Sequence, residues 1–182
     1  MVANLRADAA RNRERLLEVA RAEVAEGNVS FQLNEIARKA GVGVGTVYRH
    51  FPTPHALLEA VVGQELATMV QIAAEAAAAE DIREGTEFLL RRTLDLQTCT
   101  AGGLAAVMAA IEDADEQTTH AKAELQRLAD LLLERARAEG VIRPEITGED
   151  VRNLMIGLQY AVRQDPGRAD VYLSVLLRGL NG

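Results

Sequence analysis

Between Val42 and Pro54 the chain carries Gly43, Val44, Gly45, Thr46, Tyr48, Arg49, His50 and Thr53, a run with hydroxyls, a guanidinium and an imidazole but no acid. Such a set donates hydrogen bonds without repelling anions, and on one surface it suits phosphate oxygens and base edges. Enzyme chemistry is not expected. There is no glycine-rich phosphate loop, no Gly-x-Ser-x-Gly and no His-Glu-x-x-His, and Cys99 has no evident activating base. The three histidines, His50, His55 and His120, show no second ligand at metal spacing, and the acidic run Glu112-Asp113-Ala114-Asp115-Glu116 lacks the alternating oxygens and central glycine of a calcium loop. The run reads as a solvated connection, and no metal and no cofactor are expected.

The elements that must position the donor-rich run are two short helices. Leu33, Ile36, Ala37 and Ala40 recur at i, i+3, i+4 and i+7, one apolar stripe, with Asn34, Glu35, Arg38 and Lys39 facing water. Gly41 follows the stripe, where a left-handed residue ends a helix without a Cβ clash. Val42 plugs the corner and Gly43 serves as N-cap of a second helix, about Val44 to Phe51. Val47 and Phe51 then face inward, leaving Val44, Gly45, Thr46, Tyr48, Arg49 and His50 outside. Ser30 or Gln32 opens the first helix and is placed to reach a phosphate. A helix-glycine-helix corner also occurs in all-α proteins that never touch DNA.

The fuller pattern is more specific. Ile36-Ala37-x-x-Ala40-Gly41-Val42-x-x-Gly45-Thr46-x-Tyr48-x-x-Phe51, followed by an apolar helix opening, resembles the DNA-binding signature of the TetR family of bacterial transcription regulators over roughly the first third of the chain. The resemblance implies an all-α fold with a three-helix helix-turn-helix headpiece, a larger ligand-binding and dimerisation bundle, and about nine helices. It also implies that Ser30, Gln32, Gly43, Val44, Gly45, Thr46, Tyr48, Arg49, His50 and Thr53 meet double-stranded operator DNA. Thr46, Tyr48, His50 and Thr53 would position the headpiece on phosphates, and Val44, Gly45 and Arg49 would choose bases, with Arg49 suited to a guanine. Many such sequences have a phosphate-binding lysine where this chain has Pro54, so one expected contact is missing and His55 lies nearby instead.

Charge supports a polar orientation on DNA. Of a net −7, residues 1–53 hold eight Lys/Arg against six Asp/Glu, while residues 54–182 hold twelve against twenty-one. The basic end faces the polyanion and the acidic remainder is kept off it. The expected domains follow that split: 1–53 for DNA, with an N-terminal arm over about 1–11, and 54–182 for regulation and dimerisation. No run is read as approaching the ~20 apolar residues of a membrane span. The N-terminus lacks the apolar core of a signal peptide, so a cytoplasmic protein without a membrane partner is expected. Cys99, the single cysteine, is read as a buried small hydrophobe.

Leu16, Leu17, Ala20 and Val24 mark the supporting helix of the headpiece. Thr53 and Pro54 open a helix to about Glu80, some 40 Å at 1.5 Å per residue. Gly85, Phe88, Leu89, Arg92, Leu96 and Cys99 are read as one face of the next helix, in which Arg92 interrupts the apolar stripe. From helical faces alone, Met69, Phe88, Leu89, Arg92, Leu96, Met108, Leu125 and Tyr160 are expected to line a pocket for an unidentified small-molecule effector. Thr147 caps a helix from about Gly148 to Gln164, and a last helix runs from about Arg168 to Leu180. Seven of the ten residues from Val171 to Leu180 are apolar and they occupy most of the circumference, so a second copy of the chain is expected against them. The expected interface is Val151, Leu154, Met155, Leu158, Val162, Tyr172, Leu173, Leu176, Leu177 and Leu180. The functional expectation is a dimeric, ligand-responsive regulator that releases a pseudo-palindromic operator when effector binds, its recognition helices about 34 Å apart. The alternative is a helical protein-interaction module with a DNA-incompetent headpiece.

Overall fold

The computed structural model describes residues 2–181, with side chains from residue 7 onward. Over that range the chain is all-α: α1 (Val2–Ala25), α2 (Leu33–Ala40), α3 (Val44–His50), α4 (Pro54–Ala78), α5 (Ile82–Cys99), α6 (Gly103–Ala109), α7 (Glu116–Ala138), α8 (Gly148–Gln164) and α9 (Ala169–Leu180), with a 3₁₀ turn at Pro166–Arg168. Two packing units result. The first comprises residues 1–64 and 100–119, the second residues 65–99 and 120–182. The sequence-based boundary after Thr53 therefore falls inside the first unit, because the start of α4 and the segment around α6 pack with the headpiece.

In the first unit the expected stripes close on one another. Leu16, Leu17, Ala20 and Val24 of α1 are buried with Leu33, Ile36 and Ala37 of α2, with Val47 of α3, and with Phe31 and Phe51. The expected arm at 1–11 is instead helical from Val2 and continuous with α1. Alanines at 3, 7, 9 and 10 propagate helix without needing an apolar stripe, so the absence of periodicity was not an absence of helix. The side chain of Arg6, counted in that arm, lies outside the described residues. At the start of α6, a Cβ on Gly103 would stand 3.0 Å from a methyl of Val24 and 3.1 Å from one of Val62, so α6 touches α1 and α4 there through bare backbone.

Glu59, on the second turn of α4, is 3% exposed and holds the connection between α6 and α7. Its carboxylate accepts the N–H groups of Ala114 at 2.7 Å and Asp115 at 2.9 Å. A buried carboxylate is tolerable on those terms, since charge-assisted bonds replace its water.

In the second unit, Leu90 and Leu94 of α5, Met155, Leu158 and Val162 of α8, and Leu173 and Leu180 of α9 form one core. α8 begins with a capping box: Thr147 Oγ1 accepts the Asp150 N–H at 3.1 Å, and the Thr147 N–H donates to the Asp150 carboxylate at 2.8 Å. These bonds hold the Asp150 carboxyl below its ordinary range, the Thr147 side chain contributing most. Arg135 of α7 donates to the carbonyls of Ala77 at 2.6 Å and Ala79 at 3.1 Å, satisfying acceptors that an alanine-rich helix end leaves open.

Three expectations are corrected. The buried face of α5 is Ile82, Gly85, Thr86, Leu90, Thr93, Leu94 and Gln97, so Phe88, Arg92 and Cys99 point outward. Arg92 interrupts no core; it is exposed and 3.7 Å from Asp95. Cys99 is exposed rather than buried. The reading slipped because Thr and Gln count as polar by hydropathy, yet Thr86 is buried with its hydroxyl donated to the Ile82 carbonyl at 2.7 Å, and the backbone carbonyl of Gln97 accepts the buried Gln159 amide at 3.1 Å. Finally, α4 is long and apolar enough by composition to cross a membrane, contrary to expectation, though half of that stretch is buried inside the fold.

Candidate nucleic-acid interface

The corner between α2 and α3 is built as its glycines require. Gly41 adopts φ 64°, its N–H turns back toward the carbonyls of Ala37 and Arg38, and the Val42 N–H reaches Ala37 O at 2.9 Å. This closes α2 in a left-handed cap that a Cβ would strain. Gly43, extended at φ −63° and ψ 139°, is the N-cap of α3. Thr53 caps α4, its hydroxyl accepting the Ala56 N–H at 3.0 Å.

Val47 is fully buried, and the expected outward set is outward: Val44 and Tyr48 are each about half exposed, Gly45 and Arg49 are exposed, and Thr46 and His50 are half-buried. Ser30, Gln32, Gly43 and Thr53 are exposed as well. Gln32 occupies the N-cap position of α2 without a side-chain capping bond, and Ser30 donates its N–H to the Asn28 side chain at 3.2 Å.

The guanidinium of Arg49 lies back along its own helix, donating to the Gly45 carbonyl at 3.2 Å and Thr46 Oγ1 at 3.0 Å. Reaching a guanine requires exchanging those bonds. Other cations of the headpiece are neutralised locally: Arg38 pairs with Glu35 at 2.7 Å, and Lys39 with Glu23 of α1. His50 is held below the ordinary imidazole range, first by burial and then by Arg13 and Arg49. Arg13 stacks over the Phe51 ring with its guanidinium carbon 5.5 Å from the centroid, a cation–π contact joining α1 to the end of the corner. Sequence reading had no means of pairing residues so far apart.

The residues expected to line an effector pocket are dispersed in burial. Met69 and Leu125 are buried, Leu89, Leu96 and Met108 are half-buried, and Phe88, Arg92 and Tyr160 are exposed, Tyr160 by 64%. A cleft of about 170 Å³ in the second unit is lined by other residues, among them Arg83, Thr86, Glu87 and Asn181. Of the expected interface, Met155, Leu158, Val162, Leu173 and Leu180 lie in the core of their own chain, and Val151, Tyr172, Leu176 and Leu177 pack partly against it. Leu154 is exposed, joined on α8 and α9 by Ile156, Tyr160, Val171 and Val175. Apart from Leu154, the stripe thus faces inward, and Ile156 and Tyr160, off the stripe, face outward.

Sequence reading also missed a pair one helical turn apart. His55 and Glu59 lie at i, i+4 on α4, a spacing visible in the sequence, and Asp113 joins them from the acidic run. The expectation that no histidine has a partner at metal spacing is therefore incorrect, and Asp113 is half-buried rather than simply solvated.

Comparison with known proteins gives two matches that together cover most of the chain. Residues 16–61 match the model of bacterial regulatory proteins of the tetR family, and residues 86–182 match that of the C-terminal domain of SbtR-like transcriptional regulators. Over 98% of its length the chain superposes on 99% of a TetR transcription regulatory protein from Mycobacterium vanbaalenii, at 33% identity and a TM-score of 0.51. The chain belongs to the TetR family. A TetR transcriptional regulator from Streptomyces coelicolor is similar over 93% of this chain and 98% of its own, at 30% identity and a TM-score of 0.56. Among curated relatives, an HTH-type transcriptional regulator of Staphylococcus aureus is 37% identical over 67 residues, 36% of each protein. That last likeness spans about a third of the relative. The TetR family is one of transcription regulators rather than enzymes, in keeping with the lack of catalytic motifs.

Proposed function

We propose that this chain is a homodimeric, cytoplasmic repressor that binds a pseudo-palindromic operator through α2 and α3 and releases it when a small-molecule effector binds the region after Thr53. The observation carrying the DNA reading is the outer face of α3, where Val44, Thr46, Tyr48, Arg49 and His50 stand with no acid among them. Phosphates would be met by Thr46, Tyr48, His50 and Thr53, with Ser30 and Gln32 at the flank. The bases would be met by Val44, Gly45 and Arg49, the last after leaving Thr46. Dimerisation is supported by the exposed apolar residues of α8 and α9, Leu154, Ile156, Tyr160, Val171 and Val175, which a second copy would cover. Release follows if the effector binds better to a dimer whose recognition helices are wrongly spaced.

Fluorescence anisotropy with the DNA upstream of the chain's own gene tests this reading. Wild-type binding should weaken steeply with salt, as counterion release requires. Tyr48→Ala should lose about tenfold or more in affinity with unchanged circular dichroism. A salt-independent association would favour a protein-interaction module with a DNA-incompetent headpiece, a reading to which the local pairing of Arg38 and Lys39 lends some support, whereas full affinity in Tyr48→Ala would count against the outer face of α3 as the DNA surface.

A further inference from the structure

We propose that His55, Glu59 and Asp113 form a site for one divalent first-row transition-metal ion, of which Zn²⁺ is the representative. The three residues come from two segments of the first packing unit: the first two turns of α4, directly after the recognition corner, and the connection between α6 and α7. One ligand atom from each lies within 4.8 Å of the other two. Bonds of about 2.0–2.2 Å to nitrogen and oxygen set ligand–ligand edges of roughly 3.3–3.6 Å in a tetrahedral site, so the cluster needs only small side-chain adjustments to close on an ion.

The donor set chooses the class of ion. One imidazole nitrogen and two carboxylate oxygens, with positions left for water, suit zinc and its neighbours better than calcium, which takes six to eight oxygens. His55 is the specific indication. Its Nε2 is shielded from solvent and has no hydrogen-bond partner, although it lies 2.7 Å from Glu59 Oε1. A nitrogen so close to a carboxylate oxygen, without an N–H aligned between them, is well placed when both bind the same cation.

The outer shell is already built. Glu59 is oriented by the N–H groups of Ala114 and Asp115, each of its oxygens retaining a lone pair, and such bonds fix a ligating carboxylate before the ion arrives. Because Asp113 immediately precedes those two N–H donors in the chain, the bonds that hold Glu59 also bring the third ligand into place. The bound ion is a clamp between the start of α4 and the connection to α7.

The test uses the full-length chain without added histidines, stripped by a chelator and dialysed. Zn²⁺ is titrated by calorimetry and Co²⁺ by visible absorption. The expected result is one equivalent per chain, d–d bands from Co²⁺, and slower amide exchange at Ala114 and Asp115 on adding Zn²⁺. His55→Gln and Asp113→Asn, each with wild-type circular dichroism, should bind at least about tenfold more weakly and lose the exchange protection. His120→Gln, altering an exposed histidine outside the cluster, should titrate as wild type. Failure of the wild-type chain to take up an equivalent of either ion overturns the proposal, leaving His55 and Glu59 as a close contact only. Undiminished uptake in both His55→Gln and Asp113→Asn overturns it equally, by placing the ion elsewhere.

Discussion

α3 and α9 each expose two apolar side chains one turn apart, Val44 and Tyr48 on the one, Val171 and Val175 on the other. Their surroundings differ. On α3 the pair stands among Thr46, Arg49 and His50, so donors interleave with apolar surface, as suits a groove presenting phosphates, base edges and thymine methyls. On α9 the pair belongs to a helix packed on α8, which adds exposed Leu154, Ile156 and Tyr160. An apolar surface of that extent asks for a protein partner rather than a polyanion. The inner faces differ as well: α3 is covered by α1 and α2 within about fifty residues of chain, whereas α9 needs α5, some eighty residues away, to complete its core.

The comparison can be broken most severely in the headpiece core. Leu16 is fully buried, so Leu16→Ala should cost about 2–5 kcal/mol, read as a loss of thermal or denaturant stability. On the other side of the comparison, Val175 is 63% exposed, so Val175→Asp should leave the fold of the single chain nearly unchanged, within about 0.5 kcal/mol. The same change should weaken self-association at least about tenfold by light scattering or sedimentation, since it places a charge in an apolar contact. If Val175→Asp instead unfolds the chain as Leu16→Ala does, the outer face of α9 is core and the contrast fails.

The smallest effect is one of pH. Burial, with Arg13 and Arg49 nearby, lowers the His50 pKa relative to the unfolded chain, so the folded state prefers the neutral ring. The stability this lends is complete above the ordinary imidazole value of 6.5 and is lost as the pH falls through that value toward the lower folded one. His50→Gln should remove that part of the acid sensitivity of the melting temperature. An identical pH profile in the variant would show the ring to be no more buried than the rest of the α3 surface.

The parts of the molecule legible in the sequence are those fixed by neighbours in the chain. The stripe of α2, the Gly41 turn, the inward Val47 and the Thr147 cap depend on residues within a turn or two of one another, and all appear where the spacing puts them. α5 was misread because its buried face carries Thr86, Thr93 and Gln97, which a hydropathy pattern counts as polar, although Thr86 is buried with its hydroxyl donated to the Ile82 carbonyl. Half of the expected interface residues, Met155, Leu158, Val162, Leu173 and Leu180, lie in the chain's own core for a related reason. On a helix apolar nearly all round, composition does not say which side the chain's own core takes, and α8 and α9 turn those residues inward. His55 and Glu59 were within reach of the sequence at i, i+4, whereas Asp113 was not, since only the folded connection brings it back to α4.

Gly103 sets a limit of another kind. With 3.0 Å from its missing Cβ to a methyl of Val24 and 3.1 Å to one of Val62, a side chain at this position requires those methyls to shift by a few tenths of an ångström. Gly63 and Gly179 have nothing within 4 Å of the same virtual atom. In a lineage descending from this chain, positions 63 and 179 are therefore the more open to drift, while a side chain at position 103 is accepted more readily once Val24 or Val62 has shifted or become smaller. That one contact couples what position 103 can hold to the side chains of α1 and α4.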